Sequence, residues 1–320
     1  MGDTTMIDVV ALGELLIDFA AKSTDAAGYP TMAANPGGAP GNFLAALNAY
    51  GRKTAFLGKV GNDAFGHLLL GTLNAAGIVT KGIVVDDSVF TTLAFVTFDE
   101  SGDRSFSFAR KPGADTQLSW EEIDKSLIDE ARVFHFGTLS LTDEPVRTAT
   151  QKAVAYAKEH GKLITCDPNL RLPLWKTQEA AKEQMLWSLH QADVVKISDN
   201  EVEFLWGCTP EEGADKLLSE FDVSLAMVTL GPDGCLLKTK NASFRAACPK
   251  VHPIDTTGAG DIFGGSAVSR LLELEKPIDA LTEADLAYIG CFAATAASLS
   301  TEASGGIPSI PEKEAVLNAM

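Results

Sequence analysis

The residues best able to do chemistry lie in 255–266, DTTGAGDIFGGS. Gly258, Gly260, Gly264 and Gly265 surround one acid, Asp261, and the stretch opens a helical pattern at 259–272. There Ile262, Ala267, Val268, Leu271 and Leu272 recur at helical spacing. A glycine-rich turn at a helix start presents unpaired backbone N–H groups and the positive end of the helix dipole, which together suit a phosphate. Two readings of Asp261 stand at this point. It is a helix cap, or it is a general base that takes a proton from a hydroxyl attacking a phosphoryl group held by the amides. No GxxxxGK[ST] loop occurs, and no GxGxxG opens a first strand–helix unit, so a Walker site and a nicotinamide site are both disfavoured.

A second glycine cluster, NPGGAPGN at 35–42, contains Gly37, Gly38 and Gly41, where backbone can approach a ligand closely. Asn42 stands where the apolar helix 43–49 begins, and either caps it or binds a hydroxyl. Asp18 sits in the otherwise apolar run 15–20, where an acid is costly to bury. It is either a turn or edge residue or an acceptor for ligand hydroxyls. Three polar clusters follow apolar strands: Asp167-Pro168-Asn169-Leu170-Arg171, Ser198-Asp199-Asn200 with Glu201 and Glu203, and Gly231-Pro232-Asp233-Gly234.

These groups need a scaffold. Apolar strands are expected at 9–12, 54–60 and 83–85, with helices at 43–49 and 67–76. The segments 91–98 and 104–110 alternate like strands and are joined by a turn at 99–103. A hairpin inside a strand–helix chain suggests a lid. Its second strand ends in Phe108 and Arg110, the latter either solvated or reaching an anionic product from the lid edge. From 119 the alternation is regular: helix 119–131, strand 133–136, helix 144–160, strand 163–166, helix 177–190, strand 194–197, helices 200–206 and 210–221, and strand 225–230. That order predicts an α/β fold, a mostly parallel sheet with helices on both faces. In such sheets ligands lie beyond the C-terminal strand ends. Segments 235–239 and 243–248 read as antiparallel edge strands. Helix 282–299 is alanine-rich, for tight helix packing or for a flat ligand.

The chain has 320 residues, 46% apolar and 22% charged, with a net charge of −17. That field disfavours nucleic acid and anionic membranes as partners. An anionic nucleotide must then be held by helix ends, a few basic groups and a divalent cation. The five cysteines form no CxxC pair and read as reduced thiols of a cytoplasmic protein. The N-terminal apolar run reads as a first strand and not as a signal peptide. No apolar stretch reaches transmembrane length.

GGAPGN (37–42) and DTTGAGDIFGG (255–265), in this order and near opposite ends, resemble the ribokinase-like, or PfkB, carbohydrate kinases. DPNLRLPLW (167–175), FARKPGAD (108–115) and GELLIDF (13–19) are most similar to the fructokinase branch. The resemblance covers nearly the whole chain. It implies one ribokinase-like domain over 1–320, with a small β-sheet lid from about 14–35 and 88–115. It implies phosphoryl transfer from ATP to a sugar primary hydroxyl, that of fructose. Asp261 matches the family's base, and Gly258, Ala259 and Gly260 match its anion hole, with Arg171 beside the sugar and the transferred phosphate. Asp18, Gly37, Gly38, Asn42, Phe108, Arg110 and Asn169 fall on the sugar side. Asn200, Glu203, Thr229, Gly231, Gly234, Gly260, Ala294 and Ala297 fall on the ATP side. Glu203 would help organise Mg²⁺, through water. Asp255, Thr257, Ser300, Ala303, Gly305 and Ser309 match the spacing of a monovalent-cation site, so K⁺ activation is expected. In some relatives lids pair, which implies a possible homodimer. A ribokinase, a 2-keto-3-deoxygluconate kinase or a nucleoside kinase would use the same scaffold. A non-catalytic binding or scaffold protein is expected to lose Asp261, Gly258, Gly260 or Arg171, and all four are present.

Overall fold

The computed structural model describes residues 6–98 and 104–320. Its strands, in chain order, are β1 (Ile7–Leu12), β2 (Leu16–Thr24), β3 (Pro30–Gly37), β4 (Thr54–Gly61), β5 (Val79–Asp86), β6 (Thr92–Phe98), β7 (Arg104–Ala109), β8 (Ala131–Gly137), β9 (Leu163–Asp167), β10 (Val194–Ser198), β11 (Leu225–Thr229), β12 (Cys235–Lys238) and β13 (Ser243–Ala246). The helices are α1 (Ala39–Ala49), α2 (Ala64–Ala75), α3 (Lys125–Glu130), α4 (Val146–Glu159), α5 (Gln178–Leu189), α6 (Asp199–Trp206), α7 (Pro210–Glu220), α8 (Ala259–Leu274), α9 (Glu283–Ser300) and α10 (Lys313–Ala319).

Among the described residues the main sheet has nine strands in the order β13-β12-β11-β10-β9-β8-β1-β4-β5. It is parallel from β11 through β5, with β12 and β13 antiparallel at one edge. Alternate residues of β1 divide between two cores. Val10 and Leu12 pack with α3–α7, while Val9 and Ala11 face α1, α2 and α8. Both faces are therefore apolar and covered, as a parallel sheet requires.

A second, four-stranded sheet, β3-β2-β6-β7, stands apart from the first. Strands β2 and β6 pair in parallel, and β3 and β7 flank them antiparallel. The expected hairpin is β6–β7; its turn, 99–103, lies outside the described residues. Strand β3, paired with β2 at the opposite edge, runs on into the glycine cluster through Pro36 and Gly37, where the sequence signals a loop. At a sheet edge Pro36 need not donate a ladder hydrogen bond, so the strand tolerates it. Helix α1 then begins at Ala39, not 43, since Pro40 fits the first turn of a helix. Residues 119–131 are not one helix. The Ser119/Glu122 capping box closes a short turn at Trp120–Glu122, and Asp124 caps α3 separately.

The crossing of α1 and α8 matters most for the site. Phe43, Leu44 and Leu47 are buried, and each such side chain contributes roughly 1.5–3 kcal/mol. A side chain on Gly265 would overlap the backbone carbonyl of Phe43. Glycine there lets the helices touch backbone to backbone, which brings Asn42 of α1 to Asp261 of α8.

Candidate active site

Helix α8 starts at Gly258, whose φ of 77° is left-handed and suits glycine. No side chain caps this end. Asp261 is the third helical residue, and Asn42 Nδ2 donates to its Oδ2 at 2.9 Å. Burial raises the Asp261 carboxyl above its usual range, opposed by the Asn42 hydrogen bond and by the charges of Lys196 and Arg171. Oδ1 of Asn42 is buried and has no hydrogen-bond partner.

Two clefts meet at this helix start. One, about 530 Å³, lies between the small sheet and the main body. Asp18 and Ala20 of β2, Asn35 of β3, Phe108 of β7, Gly38, Asn42, Asp255, Gly258 and Asp261 line it. Asp18 pairs across the sheet with Asn35. Burial pushes its carboxyl up to about 6, with Arg171 pulling it down and Asp261 and Asp255 pushing it up. Gly37 ends β3 directly against the Asp18 carboxylate, which a side chain there would have to displace.

The other cleft, about 570 Å³, runs over the C-terminal ends of β10 and β11. Asn200, Thr229, Gly231, Gly234, Ala259, Gly260, Ala294 and Ala297 line it. Asn169 and Arg171 line both clefts. Asn169 holds a left-handed φ of 46°, and its N–H donates to Asp167 Oδ1 at 3.1 Å. Arg171 is exposed, and one guanidinium nitrogen donates to the Leu170 carbonyl.

Of the residues expected on the sugar and ATP sides, Gly37, Arg110 and Glu203 line neither cleft, Gly37 standing behind the Asp18 carboxylate. Arg110 is buried: its Nε and Nη2 donate to Asp115 Oδ2 at 2.8 and 2.7 Å, Nη1 to Thr142, and Nη2 to the Leu139 carbonyl. The ion pair with Asp115 draws it inward, away from any ligand. Glu203 is exposed and lines neither cleft. The acids lining the second cleft are Asp199 and, two residues before Glu203 and on the opposite side of α6, the buried Glu201. Its Oε2 accepts from Ser198 N and Oγ, and its Oε1 accepts from Leu170 N at 2.7 Å. The Ser198-x-x-Glu201 capping-box spacing would have identified it.

Asp255 and Thr257 lie on the loop before α8, and the other four expected cation residues run from Ser300, the last residue of α9, to Ser309. Asp255 Oδ1 accepts from Thr257 N and Oγ1, and Oδ2 accepts from Gly305 N at 3.0 Å. Asp255, Thr257 and Gly305 line the first cleft. Ser300 and Ser309 are buried and bond to the carbonyls of Ala297 and Gly306, and Ala303 is exposed.

Sequence reasoning gave no role to Glu14 or Lys196, and placed Asp167 only in a polar cluster after a strand. Glu14 is buried at the end of β1 and accepts from Ala39 N at 2.9 Å, so it caps α1 from a distance. Burial pushes its carboxyl up to about 7. Lys196 Nζ lies 2.9 Å from Asp167 Oδ2, both buried. The only signal was a single lysine inside the apolar strand 194–197.

The model of the pfkB family carbohydrate kinases matches residues 6–313. Fructokinase-2 of Solanum lycopersicum is 40% identical over 316 residues, 98% of this chain and 95% of its own. A double-mutant fructokinase from Vibrio cholerae O395, solved with fructose, ADP and a potassium ion, has a TM-score of 0.86 at 31% identity, covering 98% of each chain. A putative ribokinase II from E. coli, solved with ATP and Mg²⁺, has a TM-score of 0.85 at 28% identity, covering 98% of each chain. This chain belongs to the pfkB family of carbohydrate kinases and is an ATP-dependent sugar kinase with a ribokinase-like fold.

Proposed function

We propose that this pfkB-family kinase transfers the terminal phosphoryl group of ATP to the primary hydroxyl of fructose, giving fructose 6-phosphate, with Asp261 as the base. One observation carries the assignment of roles: the first turn of α8 is the shared wall of both clefts. Asp261 faces the cleft beneath the small sheet, and Ala259 and Gly260 face the other. Sugar in the first cleft and nucleotide in the second would meet end to end across that turn, the in-line arrangement phosphoryl transfer needs.

Asp18 accepts hydrogen bonds from sugar hydroxyls, with Asn35, Asn42, Gly38 and Asn169 around the ring. Gly37 leaves Asp18 room, and Phe108 closes the apolar side. The small sheet, from about 14–35 and 88–115, acts as the lid of a single kinase domain and keeps water from the transferred group. Asp261 takes the proton of the attacking oxygen while Asn42 holds its carboxylate in place. The amides of Gly258, Ala259 and Gly260 and the α8 dipole stabilise charge on the moving phosphoryl group. Arg171, at the rim of both clefts, steadies the phosphates. Thr229, Gly231 and Gly234 border the nucleotide, and Ala294 and Ala297 leave a flat wall for adenine.

Mg²⁺ arrives with the nucleotide. No cluster of three acidic, histidine or cysteine groups suits a metal among the described residues, and the Glu201 carboxylate is occupied by three donors. That donor set fits an ion held chiefly by phosphate and water, as Mg²⁺ prefers, with Asn200 at the edge. It would offset phosphate charge. The segments that Asp255 joins at Thr257 and Gly305 would hold K⁺, which would supply positive charge beside the α8 turn. The small sheet is the element through which lids of two copies would pair. The protein works in the cytoplasm.

The test is ATP-dependent phosphorylation of fructose, ribose, 2-keto-3-deoxygluconate, adenosine and glucose, with and without potassium. Fructose as the preferred acceptor by at least tenfold in kcat/KM is expected. Preference for another sugar would overturn the substrate while keeping the roles of the α8 turn.

A further inference from the structure

Lys196 has no place in the mechanism above, yet it is a buried cation that lines the second cleft. It sits on β10, 8% exposed, between the two clefts and behind the α8 turn. A Cβ built on Gly260 would lie 2.9 Å from its Nζ. It lines the nucleotide cleft and also a small interior cavity of about 20 Å³ beneath Asp261, shared with Asp167, Glu14, His135 and Thr165. A cavity that size holds about one water. Its ammonium is pinned by Asp167 Oδ2 at 2.9 Å. A lysine is rarely buried this far without a partner or a task.

We propose that Lys196 is a positioning residue of phosphoryl transfer: fixed by Asp167 behind Gly260, its charge holds Asp261 in the ionised form and adds positive potential at the anion-binding turn. The inference rests on the kinase reading above and adds a residue to it. The charges around this point are few. Asp167 of β9, Glu201 of α6 and Asp261 of α8 are acidic and face Lys196; Asp18 of β2 faces Asp261 from the small sheet; and Arg171 is the other cation near Asp261. His135 of β8 is stacked on Phe43, and burial, then Lys196, pushes its pKa down to about 3, so it stays neutral. Glu14, on the far side of the cavity, faces Arg110 and Asp115. Burial works against the Lys196 charge but is outweighed by Asp167, Glu201 and Asp261, so the lysine remains protonated.

A purely structural ion pair and an electrostatic one respond differently to charge. Lys196→Met leaves Asp167 buried and unpaired, and its thermal midpoint should drop by more than about 5 °C. Lys196→Met with Asp167→Asn removes both charges and should recover most of that midpoint. If the pair is only structural, the double variant also recovers kcat. If Lys196 acts on Asp261, the double variant folds but keeps a kcat lowered on the order of 10- to 100-fold. Its KM for fructose changes little, and the acidic limb of its pH profile moves to higher pH. Asp167→Asn alone, which keeps the cation, should leave that limb in place or move it to lower pH. A double variant within about threefold of wild-type kcat with an unmoved limb overturns the inference. So does a limb that moves the same way in both Asp167→Asn and the double variant. Wild-type protein run in parallel separates the two levels: if it phosphorylates no sugar, the kinase reading has failed and not the role of Lys196.

Discussion

The two clefts that meet at α8 are built from different materials. The cleft beneath the small sheet is lined by ionisable and amide side chains: Asp18, Asn35, Asn42, Asp255 and Asp261. The second cleft has charged groups too, but Lys196 is held by Asp167 and Glu201 by Ser198 and Leu170, and its remaining wall includes small residues and backbone: Gly231, Gly234, Ala259, Gly260, Ala294 and Ala297. A sugar is recognised by hydroxyls, each needing a directed partner, and a mismatch leaves a buried polar group unpaired. A nucleotide offers a flat base and a chain of phosphates, which backbone amides and a smooth wall can satisfy without specific side chains. Substitutions in the first cleft should therefore act through charge and hydrogen bonds, and those in the second through volume.

Asp261→Asn should show the largest effect, a loss on the order of 10²–10⁴ in kcat in a coupled assay, because the amide keeps the shape and removes the base. Asp18→Asn should raise KM for fructose about 10- to 100-fold, the worth of a charge-assisted hydrogen bond, while KM for ATP stays within twofold. Ala297→Leu should do the reverse, raising KM for ATP about tenfold by filling the wall, with fructose unaffected. Crossed effects in that pair of variants would dissolve the contrast between the clefts. Acidity should strike the sugar side first. Asp18 accepts most strongly, through both oxygens, when ionised, and its carboxyl is held at about 6, so kcat/KM for fructose should fall as pH drops through about 6. The smallest effect concerns stability. Glu14 binds its proton more tightly folded than unfolded, so its contribution is full below the ordinary carboxylate range and is lost as pH rises through about 7. Glu14→Gln keeps an acceptor for Ala39 N, so its thermal midpoint relative to wild type should rise by a few degrees between pH 5 and pH 8. A relative fall would contradict the burial argument.

The features readable in the sequence are those with a backbone cause. Glycine is required at 258, where the chain turns left-handed, and at 265, where two helices touch, so the α8 turn and the strand–helix alternation stood out. Which way a long side chain points was not readable. Glu201 and Glu203 are chemically identical, and only the phase of α6, set by the Ser198 cap, turns one toward the cleft. Arg110 looked available at a strand end until Asp115, five residues on, drew it inside. Lys196 gave one charged letter in an apolar strand, and its meaning depends on Asp167 of the neighbouring strand and on Gly260, 64 positions away in sequence. Strand β3 hid behind prolines and glycines that an edge position tolerates.

The central claim is that the α8 turn separates two tasks, with Asp261 serving the sugar and the amides serving the phosphates. The most direct measurement is rapid-quench phosphoryl transfer by Asp261→Asn, with fructose and ATP affinities of the same protein measured by titration calorimetry. Both ligands should bind within about threefold of wild type while the transfer step slows at least about 100-fold. Transfer at the wild-type rate, or a collapse of ATP binding, would contradict the claim.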